Sequence, residues 1–340
     1  MSAEHWKLLD DALATARAEI AAAAPDAATA AEGEAYLARV VSGSLAETFL
    51  SHVLCERGFS RALPVKGAPN PDYLLHHAAI DPTRRYRLTG QLNGSERIGV
   101  GLYTFTPEGA ALLAGYAAFT PRSGTSEGRF TLDIAADASG PGTLAITPGC
   151  RVLLVRILHR DTQAEPGLVC LEGGPPPGDL AFAGGNSAEG YRRAAHMTLA
   201  GVRQFLHWTE LVRAQPNSFM LPPPSIAASA QGDPDTTYFL GYYDLKEDEW
   251  LEVTLPTRLE GYWSLHAYNH WGEILPGAGL HDLNAHAEET GIVRAAIGPT
   301  VPDGIGNRID TLGRRRGMLI FRSVGGQPPS LPQTAVTRQG

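Results

Sequence analysis

The chain has 340 residues, room for two cores of ordinary size, because single cores rarely grow beyond roughly 250–300 residues. Its 43% hydrophobic and 19% charged residues exclude a disordered chain, and its 38 Gly and 25 Pro call for many turns, as a β-rich core does. A net charge of -8, from 36 acidic and 28 basic residues, excludes a nucleic-acid surface, which needs a clustered basic excess.

The densest basic run, Arg314-Arg315-Arg316, reads as a solvated or locally paired turn. Cys55, Cys150 and Cys170 show no paired spacing, which argues against a disulfide framework and a thiolate zinc site. A reducing, cytoplasmic setting is expected. No apolar run approaches the roughly 20 residues that span a bilayer, so no membrane partner is expected either.

Met1–Ala24 carries Trp6, Leu8, Leu9, Leu13 and Ile20 on a helical period, without the basic start and apolar core of a secretory signal. Residues 23–30 read as a connector. A second helix opens at Glu32, with Leu37, Val41, Leu45, Phe49 and Val53 on one buried face, and Gly58 and Pro64 close it. The period then changes. Tyr86–Leu92 alternates, Asn93-Gly94 reads as a two-residue hairpin turn, and Ile98–Phe105 returns as the second strand. Phe130–Ile134, Leu144–Thr147, Arg151–Leu158 and Leu168–Leu171 are further strands. Glu172–Gly185, with Pro175-Pro176-Pro177, reads as a linker.

Beyond it the series starts again. Ser187–Tyr191 echoes Glu32–Tyr36 and opens a helix that runs to about Arg213. Pro234-Asp235 repeats Pro71-Asp72, and Asp244 repeats Asp81, both 163 positions on. Tyr262–Tyr268 answers Ile98–Tyr103, and Leu319–Arg322 answers Leu153–Arg156. A repeat this long means two similar domains and no solenoid. The expected fold class is α+β, mainly β: two tandem antiparallel β-sandwich units, each with an amphipathic helix before it and docked on it. The expected divisions are an N-terminal helix and connector (1–30), a first unit (31–183), a second unit (184–326) and a flexible tail (327–340).

Tyr262–Asn269, His281–Asn284 and Asn307-Arg308-Ile309-Asp310-Thr311-Leu312-Gly313 with Gly317 resemble the signature of a "domain of unknown function" family, number twelve-fourteen, often found with family twelve-fifty-four. The resemblance extends over nearly all of residues 31–325. It implies a jelly-roll-like β fold and little about activity, since fold does not give function. Arg308 and Arg314 stand where that pattern has Trp and His.

Strand Tyr262–Trp271 holds most of the candidate chemistry. Alternation puts Trp263, Leu265, Ala267, Asn269 and Trp271 on one face, and Tyr262, Ser264, His266, Tyr268 and His270 on the other. Two imidazoles and two phenols on one line would furnish a polar-aromatic pocket. The matching strand of the first half offers Gly99, Gly101, Tyr103 and Phe105, which points to the second half as the functional one. His266 and His270 lie about 13 Å apart on a strand and cannot share one ion, so no metal is expected. His281 and His286, in an irregular loop with Asp282, Glu288 and Glu289 near in sequence, could assemble a His/carboxylate site together with His266 or His270, the sharper alternative.

No nucleophile elbow, phosphate loop, dinucleotide fingerprint or zinc-protease motif occurs, and no cofactor is expected. The reading that follows is a cofactor-independent enzyme, of lyase or hydrolase type, acting on a small, partly apolar molecule by general acid–base catalysis. His266 or His270 would be the base, Tyr268 the acid, Asp310 the group orienting the imidazole, and Arg314 or Arg322 the anion stabiliser. Tyr262, Asn269, Asn284 and Asn307 would complete the substrate contacts. Arg156 and Arg322 would anchor carboxylates such as Asp133 and Asp310. The alternative is a non-catalytic β-sandwich that binds a small molecule or carbohydrate. The partner expected is a small molecule, with self-association into a homo-oligomer open.

Overall fold

Asp26 ends one helix and starts the next. Its extended backbone and its Oδ1, which accepts from Thr29 N at 2.8 Å, form an N-cap. Helix α1 (Ala3–Ala23) therefore gives way to α2 (Ala27–Leu50) after three residues, and the expected connector is shorter than its composition suggested. The computed structural model describes residues 3–51, 53–62, 67–106, 110–123, 127–173, 187–229, 231–256, 259, 261–325 and 330–338. Most of the expected linker, 174–186, lies outside them.

In chain order there follow β1 (Cys55–Glu56), β2 (Phe59–Ser60), β3 (Tyr73–Ala79), β4 (Tyr86–Gln91), β5 (Arg97–Phe105), β6 (Ala111–Phe119), β7 (Arg129–Ala135), β8 (Thr143–Ala145), β9 (Val152–Leu158) and β10 (Leu168–Glu172). After helix α3 (Ser187–Arg213) come β11 (Ser218–Met220), the short helix α4 (Pro224–Ser229), β12 (Thr236–Asp244), β13 (Glu249–Thr254) and β14 (Trp263–Tyr268). The chain ends with β15 (Ile274–His281), β16 (Arg294–Gly298), β17 (Arg308–Asp310), β18 (Arg316–Val324) and β19 (Gln333–Arg338). Among the described residues the fold is mainly β with four helices, in line with the expected class.

The strands of the described residues form four sheets, in the orders β1-β2-β3-β9-β5-β6, β10-β4-β7-β8, β11-β12-β18-β14-β15 and β17-β16-β13-β19. The run β3-β9-β5-β6 has the same order as β12-β18-β14-β15, and β10-β4-β7-β8 the same as β19-β13-β16-β17. Leu88, Leu132 and Ile134 of one sheet meet Val100, Leu102 and Val155 of the next in a first core. Leu251, Val253 and Ile297 meet Leu265, Leu319 and Phe321 in a second. Each such side chain contributes roughly 1.5–3 kcal/mol by leaving water.

Four expectations change here. Asn93-Gly94 joins no hairpin: β4 pairs with β7 and β10, whereas β5 pairs with β6 and β9 in the facing sheet. Asn93, at φ 47, turns the chain from one sheet to the other. A turn dipeptide fixes a reversal and not a strand's partner. Each sheet pair also contains one parallel pairing, β7 with β8 and β16 with β17, so the sandwiches are not wholly antiparallel. The expected tail contributes β19, which pairs with β13.

The helices, finally, do not dock one on each unit. Ala16 and Ile20 of α1, Tyr36, Leu37 and Val40 of α2 and Val202 of α3 share one core with Trp271. Trp271 also donates from Nε1 to the Thr29 carbonyl at 3.0 Å. Gly33 makes this approach possible, since a Cβ there would sit 2.8 Å from the Trp271 ring. Phe205, Trp208 and Val212 of α3 then pack on Leu240, Tyr242 and Ile320. Among the described residues no helix is long and apolar enough to cross a membrane.

A glycine pair tests this packing. At Gly317 a Cβ would overlap the Tyr268 carbonyl and the Tyr243 ring, whereas at Gly201, inside α3, its nearest neighbour is Val40 at 3.7 Å. Gly317→Ala is expected to cost about 1–3 kcal/mol and Gly201→Ala to gain about 0.5–1 kcal/mol, read from urea unfolding midpoints. Effects of the same sign would contradict the packing described.

Candidate functional site

Alternation in β14 sends Trp263, Leu265 and Ala267 into the second core and turns His266 and Tyr268 to the outer face of their sheet. That face meets the corresponding face of β3, β5 and β9. Between them lie two loops, residues 67–72 ahead of β3 and 231–235 ahead of β12, and each is held by the other unit.

Arg322, 5% exposed, donates from Nη1 to Tyr268 Oη at 2.9 Å and from Nη2 to the Ala68 carbonyl at 2.8 Å. The Tyr268 hydroxyl in turn donates a hydrogen bond to the Pro69 carbonyl at 2.7 Å. Arg156, 7% exposed, does the same in mirror fashion. Its Nη2 donates to Tyr103 Oη at 2.9 Å and to the Gln231 carbonyl. The two receiving residues, Ala68 at φ 51 and Gln231 at φ 55, stand 163 positions apart, and both are non-glycine residues in the left-handed region. One position further out, Tyr262 Oη accepts from Asn70 Nδ2 and donates to Asp72 Oδ2, both at 2.7 Å. Its counterpart Arg97 reaches Asp233 at 3.5 Å and also pairs with Asp235. Asn70-Pro71-Asp72 and Asp233-Pro234-Asp235 are thus equivalent loops, gripped crosswise.

The loops border a partly open cavity of ≈ 130 Å³. Arg156 and Arg322, Tyr73 and Tyr238, Asn70, Gln231 and Asp233 supply its polar lining, and Leu75, Leu154, Trp208, Leu240 and Ile320 its apolar walls. Four polar atoms of these residues are buried without a hydrogen-bond partner among the described residues: Tyr73 Oη, Arg156 Nη1, Gln231 Oε1 and Asp233 Oδ2. Each such atom costs about 1–3 kcal/mol if nothing meets it. Neither Arg156 nor Arg322 has a carboxylate in ion-pair contact among the described residues, so neither serves as the carboxylate anchor expected of it. Asp133 pairs instead with Arg87 on the exposed face.

The other expected site residues fall elsewhere. His266 lies beside the cavity without lining it: its Nε2 is 3.9 Å from Asp72 Oδ2 and its ring packs on Gly279 of β15. His270 does not continue the line of His266 and Tyr268. The pairing of β14 with β15 shifts register between those two residues and the strand stops at Tyr268. His270 sits in the following turn, where its Nδ1 meets Tyr242 Oη at 2.7 Å under α3. Asn269 organises that turn by accepting from the backbone N–H groups of Trp271 and Glu273.

Asp310 orients neither histidine. It caps its own turn at Leu312 N, 2.7 Å, and lies beside Arg308. Asn307 ties together the backbone of His286 and Arg294, and Asn284 accepts from His281 N, so both hold loops. Arg314 pairs with Glu32 of α2 at 2.6 Å. Among the described residues no group of three or more His, Cys, Asp or Glu is placed to hold a metal. The residues that do line the cavity, Asn70, Tyr73, Gln231 and Asp233, left one trace in the sequence: the repeated Pro-Asp at the offset of 163.

The profile of a family described as "Protein of unknown function (DUF1254)" matches residues 204–340, in place of the family numbered twelve-fourteen and over less of the chain than the resemblance implied. No curated protein matches. Among solved structures, an uncharacterised protein from Burkholderia cenocepacia is 24% identical, with a TM-score of 0.85, covering 98% of this chain and 96% of its own. This likeness establishes a shared fold across nearly the whole chain. The VPA0106 protein from Vibrio parahaemolyticus is 13% identical, with a TM-score of 0.49 over 90% of this chain and 98% of its own.

Burial sets the protonation of the candidate acid–base groups. It raises the Tyr268 phenol, an effect that the Arg322 guanidinium offsets only in part. Burial, with Arg322 second, holds His266 well below the usual imidazole range, and burial, with Arg213 second, lowers His270 to about 4. Both imidazoles are neutral in the folded protein at pH 7 and charge readily only when it unfolds. The unfolded chain therefore binds more protons below pH 6.5, and stability falls as pH drops toward 4. Between pH 7 and pH 5 the His270 share is a loss of about 2 kcal/mol. Urea unfolding at the two pH values should show it, and His270→Gln should remove that share while the contribution of His266 remains. An unchanged pH slope in that variant would contradict the assignment.

Proposed function

We propose that this protein is a receptor for a small organic molecule with a charged head group, held in the cavity between the two sheet pairs. The observation that supports it is that four residues each with a buried, unpartnered polar atom, Tyr73, Arg156, Gln231 and Asp233, line one cavity with apolar walls. Binding is favoured over lyase or hydrolase turnover, because the described residues lining the cavity include no imidazole and one carboxylate, Asp233. Tyr268 does not line the cavity, and its hydroxyl is engaged in a hydrogen bond to the Pro69 carbonyl. A cavity of about 150 Å³ holds benzene, so ≈ 130 Å³ accommodates a group of a few heavy atoms.

The same reading takes the two sheet pairs as jelly-roll-like copies of one ancestral unit. Their common strand order and the crosswise clamp residues at equivalent positions support it. The ligand site then belongs to neither copy alone. The three cysteines, all unpaired, fit a reducing compartment.

Trp208 in the cavity wall supplies a built-in reporter. In a panel of small acids, amines, amino acids and polyols, at least one compound is expected to change Trp208 fluorescence saturably and to stabilise the fold. The stabilisation should approach 2.7 kcal/mol at about 100 times its dissociation constant. Leu154→Phe, which fills the cavity, should abolish the response, and Trp208→Phe should remove the signal while preserving the stabilisation. A panel without any saturable response, or one unaffected by Leu154→Phe, would overturn the proposal.

A further inference from the structure

We propose that Asn93-Gly94 is a deamidation site kept latent by the docked loop 164–167, and that reaction there leaves the loop unable to dock as before. The pair carries the chain from β4 to β5, out of one sheet and into the facing one. Asn93 stands at φ 47, a left-handed position that asparagine tolerates better than most residues. Gly94 faces the loop so closely that a Cβ there would lie 2.5 Å from Ala164 Cβ. The turn thus calls for a dipeptide that is chemically labile, because a glycine nitrogen carries no neighbouring side chain to shield it. Among the asparagines only Asn93 is followed by glycine, and both residues are exposed to water.

In the reaction the Gly94 nitrogen gives its proton to solvent base and bonds to Asn93 Cγ. Nδ2 takes up a proton from water and leaves as ammonia, and a cyclic imide remains. Water then opens either carbonyl of the imide, giving aspartate or isoaspartate. The sum is an amide and water becoming an acid and ammonia, with no change of oxidation state.

The folded turn withholds both reacting nitrogens. Gly94 N–H donates to the Glu165 carbonyl at 2.9 Å, and Asn93 Nδ2 donates to the Pro166 carbonyl at 2.9 Å. Gly167 N–H donates to Ser95 Oγ at 2.8 Å, and Ser95 Oγ lies 3.1 Å from His159 Nδ1. All three protecting bonds run between the turn and one loop, so they are lost together when that loop lifts. The product cannot remake them. An aspartate at 93 turns an acceptor toward the Pro166 carbonyl in place of a donor, and isoaspartate also lengthens the backbone of the turn by a methylene.

Peptide mass spectrometry of the full chain incubated at pH 8.5, folded in buffer or unfolded in guanidinium chloride, tests this. Three hydrogen bonds of ordinary net worth imply that Asn93 deamidates at least about tenfold more slowly in the folded chain. Ser95→Ala removes the acceptor for Gly167 and should speed the folded-state reaction several-fold, with the unfolded-state rate unchanged. If Ser95→Ala does not melt cooperatively, Pro166→Gly loosens the exposed part of the loop and leaves all three bonds possible. Asn93→Asp, which stands in for the product, should raise hydrogen exchange at the Gly167 amide several-fold while cooperative melting is retained. Equal rates in the folded and unfolded chains, or a cooperatively melting loop variant that reacts no faster, would overturn the guarding role of the loop. An unfolded chain that does not deamidate at Asn93 would overturn the site itself. Unchanged exchange at Gly167 in Asn93→Asp would overturn the lasting effect on the loop.

Discussion

Two guanidinium groups buried between the sheet pairs constrain everything around them. Taking such a cation out of water costs several kcal/mol unless its donors meet oxygen. Here the oxygens are a phenol from the same unit and a backbone carbonyl from the other. The carbonyl reaches its place because Ala68 and Gln231 adopt the left-handed region, at a cost of about 1–2 kcal/mol each. Each unit thus holds strained backbone belonging to its partner. Neither loop has a reason to adopt its shape until the other unit has folded against it. The relative placement of the two sandwiches, and the cavity between them, follow from this exchange.

Close packing would ordinarily eliminate a cavity lined by unmet polar atoms. At nearby positions several buried polar groups meet one another: Tyr262, Asn70 and Asp72 do, and Arg97 Nη2, Tyr116, Asp233 Oδ1 and Asp235 do likewise. Tyr73 Oη, Arg156 Nη1, Gln231 Oε1 and Asp233 Oδ2 have no such partner among the described residues, and neither do buried atoms elsewhere, Tyr36 Oη, Trp250 Nε1 and His270 Nε2 among them.

The two units contribute unequally. On the strands that bear the clamp tyrosines, the first unit has Gly99 and Gly101 where the second has Ser264 and His266. The glycines leave room for the Tyr116 hydroxyl and the Tyr103 ring, which carry the hydrogen bonds of that side. In the second unit His266 fills the equivalent space and packs on Gly279. The imidazole that marked the second half as functional is a filling group beside the cavity. The unmet cation stands opposite, on β9, supplied by the half without imidazoles on that strand.

The sequence by itself determined the period of each element, the three long helices, most of the strands, the alternation that buries Leu265 and turns out Tyr268, and the offset of 163 between equivalent positions. These are local quantities: side-chain direction repeats every 3.6 residues in a helix and every second residue in a strand, so a stretch of chain states which face it will bury. It does not state what will cover that face. The partners of β4 and β5 across Asn93-Gly94, the packing of α1 and α2 on α3 instead of on separate sandwiches, and the crosswise grip of Arg156 and Arg322 were decided only by the tertiary structure. Hydrogen bonds between a guanidinium and a backbone carbonyl leave no pattern in the sequence, because any residue supplies a carbonyl. What selects Ala68 and Gln231 is the left-handed turn imposed on them by the opposite unit.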